Sequence, residues 1–162
     1  MLHDSFQSTQ IRLVKLIFLA LMGGVFAFAA TAFVMRAVGG NAPAPAAQGF
    51  DVMVIAVLCL WGATTVSILL LPGAIENATR REWEGHAEDT AADAILLTRW
   101  RTLMILRGAL LEGAALFGVV VYFLNGSPIA LGVAGANLVL MAMGFPSQSG
   151  FESFLERVRR QR

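Results

Sequence analysis

The feature that most constrains this chain is the recurrence of apolar runs long enough to cross a lipid bilayer. Four such runs are present, at about 14–35, 52–72, 103–124 and 128–145. A spanning helix takes roughly 17–25 apolar residues, because each residue adds about 1.5 Å of rise. Backbone amides cannot be left unpaired in hydrocarbon, so each run reads as a helix. Composition agrees: charged residues are 14% of the chain, against about 25% in soluble domains. Little lies outside the runs. The sequence therefore predicts one domain over 1–162, an all-α integral membrane four-helix bundle.

Charge placement orients that bundle. Of the twelve Lys and Arg residues, all but Arg36 fall on one side of the expected topology. Arg12 and Lys15 precede the first run. Arg80, Arg81, Arg99, Arg101 and Arg107 lie between or just inside the second and third, and Arg157, Arg159, Arg160 and Arg162 close the chain. Cytoplasmic loops carry the excess of Lys and Arg. Both termini and the middle loop are accordingly predicted to be cytoplasmic (N-in/C-in), in a bacterial inner (plasma) membrane. The first run exceeds the roughly 7–15 apolar residues of a secretory signal, so it is expected to stay as a span although the segment after it resembles a cleavage region.

Local signals refine the ends. Asn125, Gly126 and Ser127 form a turn too short for anything but an antiparallel hairpin of the third and fourth spans. The third helix is expected to begin in the polar middle segment and run unbroken into the bilayer, with Trp100 at the interface and Arg107 snorkelling toward the headgroups. After Pro146, Ser149 and Glu152 fit a capping box, and Phe151, Phe154, Leu155 and Val158 share one helical face opposite Arg157 and Arg160. The region at about 149–160 is thus predicted to be an amphipathic interfacial helix, held by its stripe and by anionic lipid headgroups or by a partner subunit.

One carboxylate, Glu112, lies inside a spanning run. Ionisable residues at such depth are costly and mark function by default. Counting nine residues inward from each cytoplasmic end, about 13 Å of helix, lands on Gly23, Ala63 beside Thr64, Glu112, and Ala136 beside Asn137. A polar layer follows, in which Glu112 is expected to bond Thr64, Thr65 or Asn137, with Gly23 and Gly24 giving room. Such a carboxyl either joins helices by hydrogen bonding or carries a proton or cation. Small residues at helical spacing, including Ala27 and Thr31 in the first span and Gly108 and Ala115 in the third, suit close helix contact.

The run from Ala109 through Glu112, Ala115, Phe117 and Gly118 to Val120 resembles the ion-carrying outer helix of the proteolipid (c) subunits of rotary ATPases. The resemblance covers about a dozen positions and implies a titrating role for Glu112 alone. Here the carboxylate stands on the third span instead of an even one. The span arrangement and the ending Phe145-Pro146 before a charged helix also resemble small uncharacterised four-helix membrane proteins of bacteria, which implies no activity.

Other chemistry is sparse. The single cysteine, Cys59, has no partner for a disulfide, and His3 and His86 lie outside the runs, so a bis-histidine haem is ruled out by inventory. Glu82, His86, Asp89 and Asp93 would share a helical face and form a metal candidate, with a solvated charged face as the simpler reading. No phosphate loop or paired nucleophile and base is present, so no enzyme, no cofactor and no nucleic-acid partner are expected. The sequence favours a non-catalytic accessory or assembly subunit of a larger inner-membrane complex, energy-converting or transport, that contacts other membrane subunits or itself. The alternative is an oligomeric proton or cation conductor using Glu112.

Overall fold

Three of the apolar runs continue as helix past their hydrophobic limits. A computed structural model describes residues 2–39, 52–84 and 91–160. In chain order these form α1 (Leu2–Val38), α2 (Val52–Glu84), α3 (Ala91–Asn125), α4 (Pro128–Met143) and α5 (Gln148–Arg160), with no strand among the described residues. The α3–α4 turn is closed by Gly126, whose φ of 71° suits glycine and whose N–H donates to the Tyr122 carbonyl at 2.7 Å. Pro128 then opens α4, where a missing N–H costs nothing.

Three helices contain segments long and apolar enough to cross a membrane: Thr9–Val38, Val52–Ile75 and Leu96–Asn125. The fourth run behaves differently. It yields only the 16 residues of α4, about 24 Å of helix, where the hydrocarbon core is about 30 Å thick. The chain then bends by 74° into α5, and only the bent pair passes as a further span. The helix stops at Gly144 because Pro146 follows, and the residue before a proline is driven out of helical conformation.

α3 is the hub, in contact with all four other helices, whereas α1 and α2 pack chiefly on α3. Glycines set the closest approaches. A Cβ on Gly118 would stand 2.8 Å from the Ala130 carbonyl oxygen of α4, and one on Gly108 would stand 3.1 Å from the Phe18 ring of α1. Around these contacts Val119 packs with Ala32 and Ala134, and Val121 with Val57, Ala130 and Val133. The outward faces of α1 and α2 remain apolar, with Leu16, Phe26, Leu69 and Leu70 exposed. Such surfaces match lipid tails.

The largest cluster lies at the basic end. Ile11, Val14 and Phe18 of α1, Leu96, Leu97 and Trp100 of α3, and Phe151 and Phe154 of α5 are buried together. Trp100 meets Phe151 edge-on at 5.3 Å between ring centroids. The apolar stripe of α5 is therefore covered by the chain's own α1 and α3, and Trp100 lies beneath it at 1% exposure. A stripe reports an apolar neighbour without saying which, so the sequence could not separate this packing from a membrane surface.

Phe154→Ala should cost about 3–5 kcal/mol and free α5. Thermal unfolding in mild detergent, together with protease cutting at the 144–150 elbow, checks this. Unchanged stability would mean that α5 does not hold the basic end together.

Candidate functional site

α1 and α3 run parallel, in register from Phe18 beside Gly108, through Gly24 beside Glu112, to Arg36 beside Tyr122. Glu112 Oε1 lies 3.9 Å from where a Cβ on Gly24 would stand. Around α3, Gly108 and Val119 turn toward α1, Gly118 toward α4 and Val121 toward α2. Ala109, Gly113 and Phe117 remain exposed. Helical spacing puts Glu112 at the border between the α1 contact and that exposed strip. On α1, Ala20, Gly24, Ala27 and Thr31 are exposed as well. The half-buried carboxyl thus opens onto the outer margin of the α1–α3 pair, away from α2. Among the described residues no hydrogen bond or ion pair reaches it.

The other expected members of the polar layer face inward. Thr64, on the stripe of α2 that buries Val57, is 5% exposed, and Asn137, one turn beyond Val133 on α4, is fully buried. The Asn137 amide donates to the Val133 carbonyl at 2.9 Å, leaving its Oδ1 buried without a partner among the described residues. The Thr65 hydroxyl donates to the Trp61 carbonyl at 2.8 Å, so it serves its own helix. The expected bonds from Glu112 to Thr64, Thr65 or Asn137 are not formed. Gly24 approaches the carboxyl, while nothing lies within 4 Å of a Cβ on Gly23.

At the basic end, the Arg107 guanidinium carbon comes within 3.3 Å of a Cβ placed on Gly144. The side chain is half-buried, and its Nε has no partner among the described residues. It lies at the C-terminus of α4, where the helix dipole favours a cation. Arg157 and Arg160 fall in α5, but their side chains lie outside the described residues, as do His86 and Asp89 entirely and the side chains of Glu82 and Asp93. Glu82 belongs to α2 and Asp93 to α3, on separate helices. Among the described residues no cluster of three or more His, Cys, Asp or Glu forms a metal site.

Arg36 is the residue whose role charge counting did not anticipate. Its Nη1 donates to the carbonyls of Tyr122, at 3.2 Å, and Phe123, at 2.9 Å. Its guanidinium also lies 5.7 Å from the Tyr122 ring centroid. Both carbonyls lie in the last turn of α3, where intrahelical donors run out, and the Tyr122 oxygen is shared with the N–H of Gly126. Gly126 leaves the space the guanidinium fills, since a Cβ there would collide with it. The signal for this was available: a helix C-terminus needs donors, and arginine supplies them.

No family model matches the chain, and no curated protein or solved structure is similar to it.

Arg36→Gln should lower stability by about 1.5–3 kcal/mol, the range for hydrogen bonds to a charged group. Gly126→Ala should do likewise by displacing the guanidinium. Denaturant titration of both variants tests the clasp, and two wild-type curves would refute it.

Proposed function

We propose that this chain is a non-catalytic accessory subunit of a larger bacterial inner-membrane complex, docking a partner helix against the α1–α3 margin around Glu112. The supporting observation is Glu112 itself, half-buried and without a hydrogen-bond partner among the described residues. It opens onto a surface whose exposed residues include Ala20, Gly24, Ala27, Ala109 and Gly113. A carboxyl facing lipid alone is unfavourable. Small residues let a second backbone come close enough for van der Waals packing, and a donor on that helix satisfies the carboxyl. Both requirements meet at this one place.

In this reading α4 crosses as a fourth, short span and both termini are cytoplasmic. α4 begins at the same turn that ends α3 and leads to α5 at the basic end. Local thinning of the bilayer accommodates its shortness. Single cysteines at Ser127 and Ser149, in a chain with Cys59 replaced, should label from opposite sides. Labelling of both from one side would reduce the count to three spans.

A second reading, an oligomeric proton or cation conductor, draws on the same exposure. Because Glu112 opens outward, its pathway would run between chains. Substitution separates the two. Glutamine keeps the shape and hydrogen bonding of a carboxyl but releases no proton, whereas leucine removes the polar partner and strands any donor aimed at it, at about 1–3 kcal/mol. For an accessory subunit, Glu112→Gln should copurify with its partners as the wild type does, and Glu112→Leu should lose them. A folded Glu112→Gln variant that abolishes flux shown by the wild type in liposomes would decide for the conductor.

A further inference from the structure

We infer that the elbow between α4 and α5 is a binding site for the phosphate of an anionic phospholipid, held by Lys15 and Arg107. The inference is independent of what Glu112 does. Phe18 of α1 and Phe145 of the elbow meet edge-on at 6.2 Å between centroids. This contact pins the elbow to α1 one turn above Lys15, which is half-buried. On the other flank, Gly144 makes room for the Arg107 guanidinium, 3.3 Å from where its Cβ would stand. Arg107 thus lies against the elbow itself, and Lys15 stands on α1 three residues before the ring that Phe145 touches. Among the described residues neither has an ion-pair or hydrogen-bond partner.

Depth selects the ligand. Arg107 lies 18 residues before Asn125, the last residue of α3 (125 − 107), so about 27 Å of helix separates them. That is close to the roughly 30 Å of a hydrocarbon core. With the α3–α4 turn at one surface, Arg107 stands at the boundary with the opposite headgroups. A partly buried guanidinium there needs an acceptor whose charge is also held at that height, and the lipid phosphate is such a group. The backbone N–H of Gly150 is already taken by Ser147 Oγ at 3.0 Å. The two side chains, more than the start of α5, carry the site.

The test uses the full chain in mild detergent, titrated with phosphatidylglycerol and read by native mass spectrometry. One lipid should bind the wild type in preference to phosphatidylcholine. Lys15→Gln and Arg107→Gln should each weaken it at least about tenfold, the loss of one charged hydrogen bond. Gly144→Ala should weaken it too, by crowding the guanidinium. If Arg107→Gln does not fold, Lys15→Gln decides alone. Wild-type affinity in folded Lys15→Gln, or equal binding of phosphatidylcholine, would overturn the inference. So would displacement by millimolar inorganic phosphate, which would identify a free anion as the ligand.

Discussion

The constraint on which the rest of this structure depends is the unequal length of two helices joined by one tight turn. α3 has 35 residues and α4 has 16, so the hairpin closes at its Gly126 end and stands open at the other. The overhanging part of α3 carries Leu96, Leu97 and Trp100, and the start of α1 beside it carries Ile11 and Val14. These side chains lie too far from the turn to be sheltered by α4. The 74° bend after α4 lets α5 cover them with Phe151 and Phe154. The amphipathic pattern of α5 is thereby explained by geometry: its apolar stripe fills the gap that the short helix leaves.

The polar residues divide according to the same hub. Asn137 and Thr64 are enclosed by the packing of α2 and α4 around α3, where each polar atom needs a partner inside the chain. Asn137 obtains half of what it needs from the Val133 carbonyl. Glu112 lies on the other margin of α3, beside Gly24 of α1, and is half-buried. Its environment is set by what lies outside the bundle. Among the described residues Glu112 makes no contribution to the internal hydrogen-bond network.

Much of this fold is legible in the sequence, for identifiable reasons. The turn at Asn125, Gly126 and Ser127 leaves a single topology for α3 and α4, and the polar start of α3 has helical composition well before its apolar run. The periodicity of Phe151, Phe154 and Leu155 places α5 within a residue of Gln148–Arg160. Hydropathy fails at helix ends, since α2 continues through Pro72 to Glu84, well past its apolar run. It also overextends the fourth run, because Gly144 and Phe145 are compatible with lipid but not with a helix facing Pro146. The rotation of each helix is not encoded in depth. Glu112 and Asn137 fall together when counted inward from the ends, yet α3 turns the first toward the margin and α4 turns the second toward the interior.

The two arginines of the hairpin ends show how charge and helix polarity combine. Antiparallel α3 and α4 present their C-termini at opposite ends, and each C-terminus carries a partial negative charge. Arg36 donates to the final carbonyls of α3, and Arg107 lies against Gly144 at the end of α4. A tally of basic residues by side makes Arg36 the exception to an otherwise one-sided distribution. Its place follows from the fold, because the C-terminus of α3 is exposed on that side and α1 is the neighbour able to reach it. Arg36 is therefore consumed as a cap for α3, at the end of the bundle opposite Arg107.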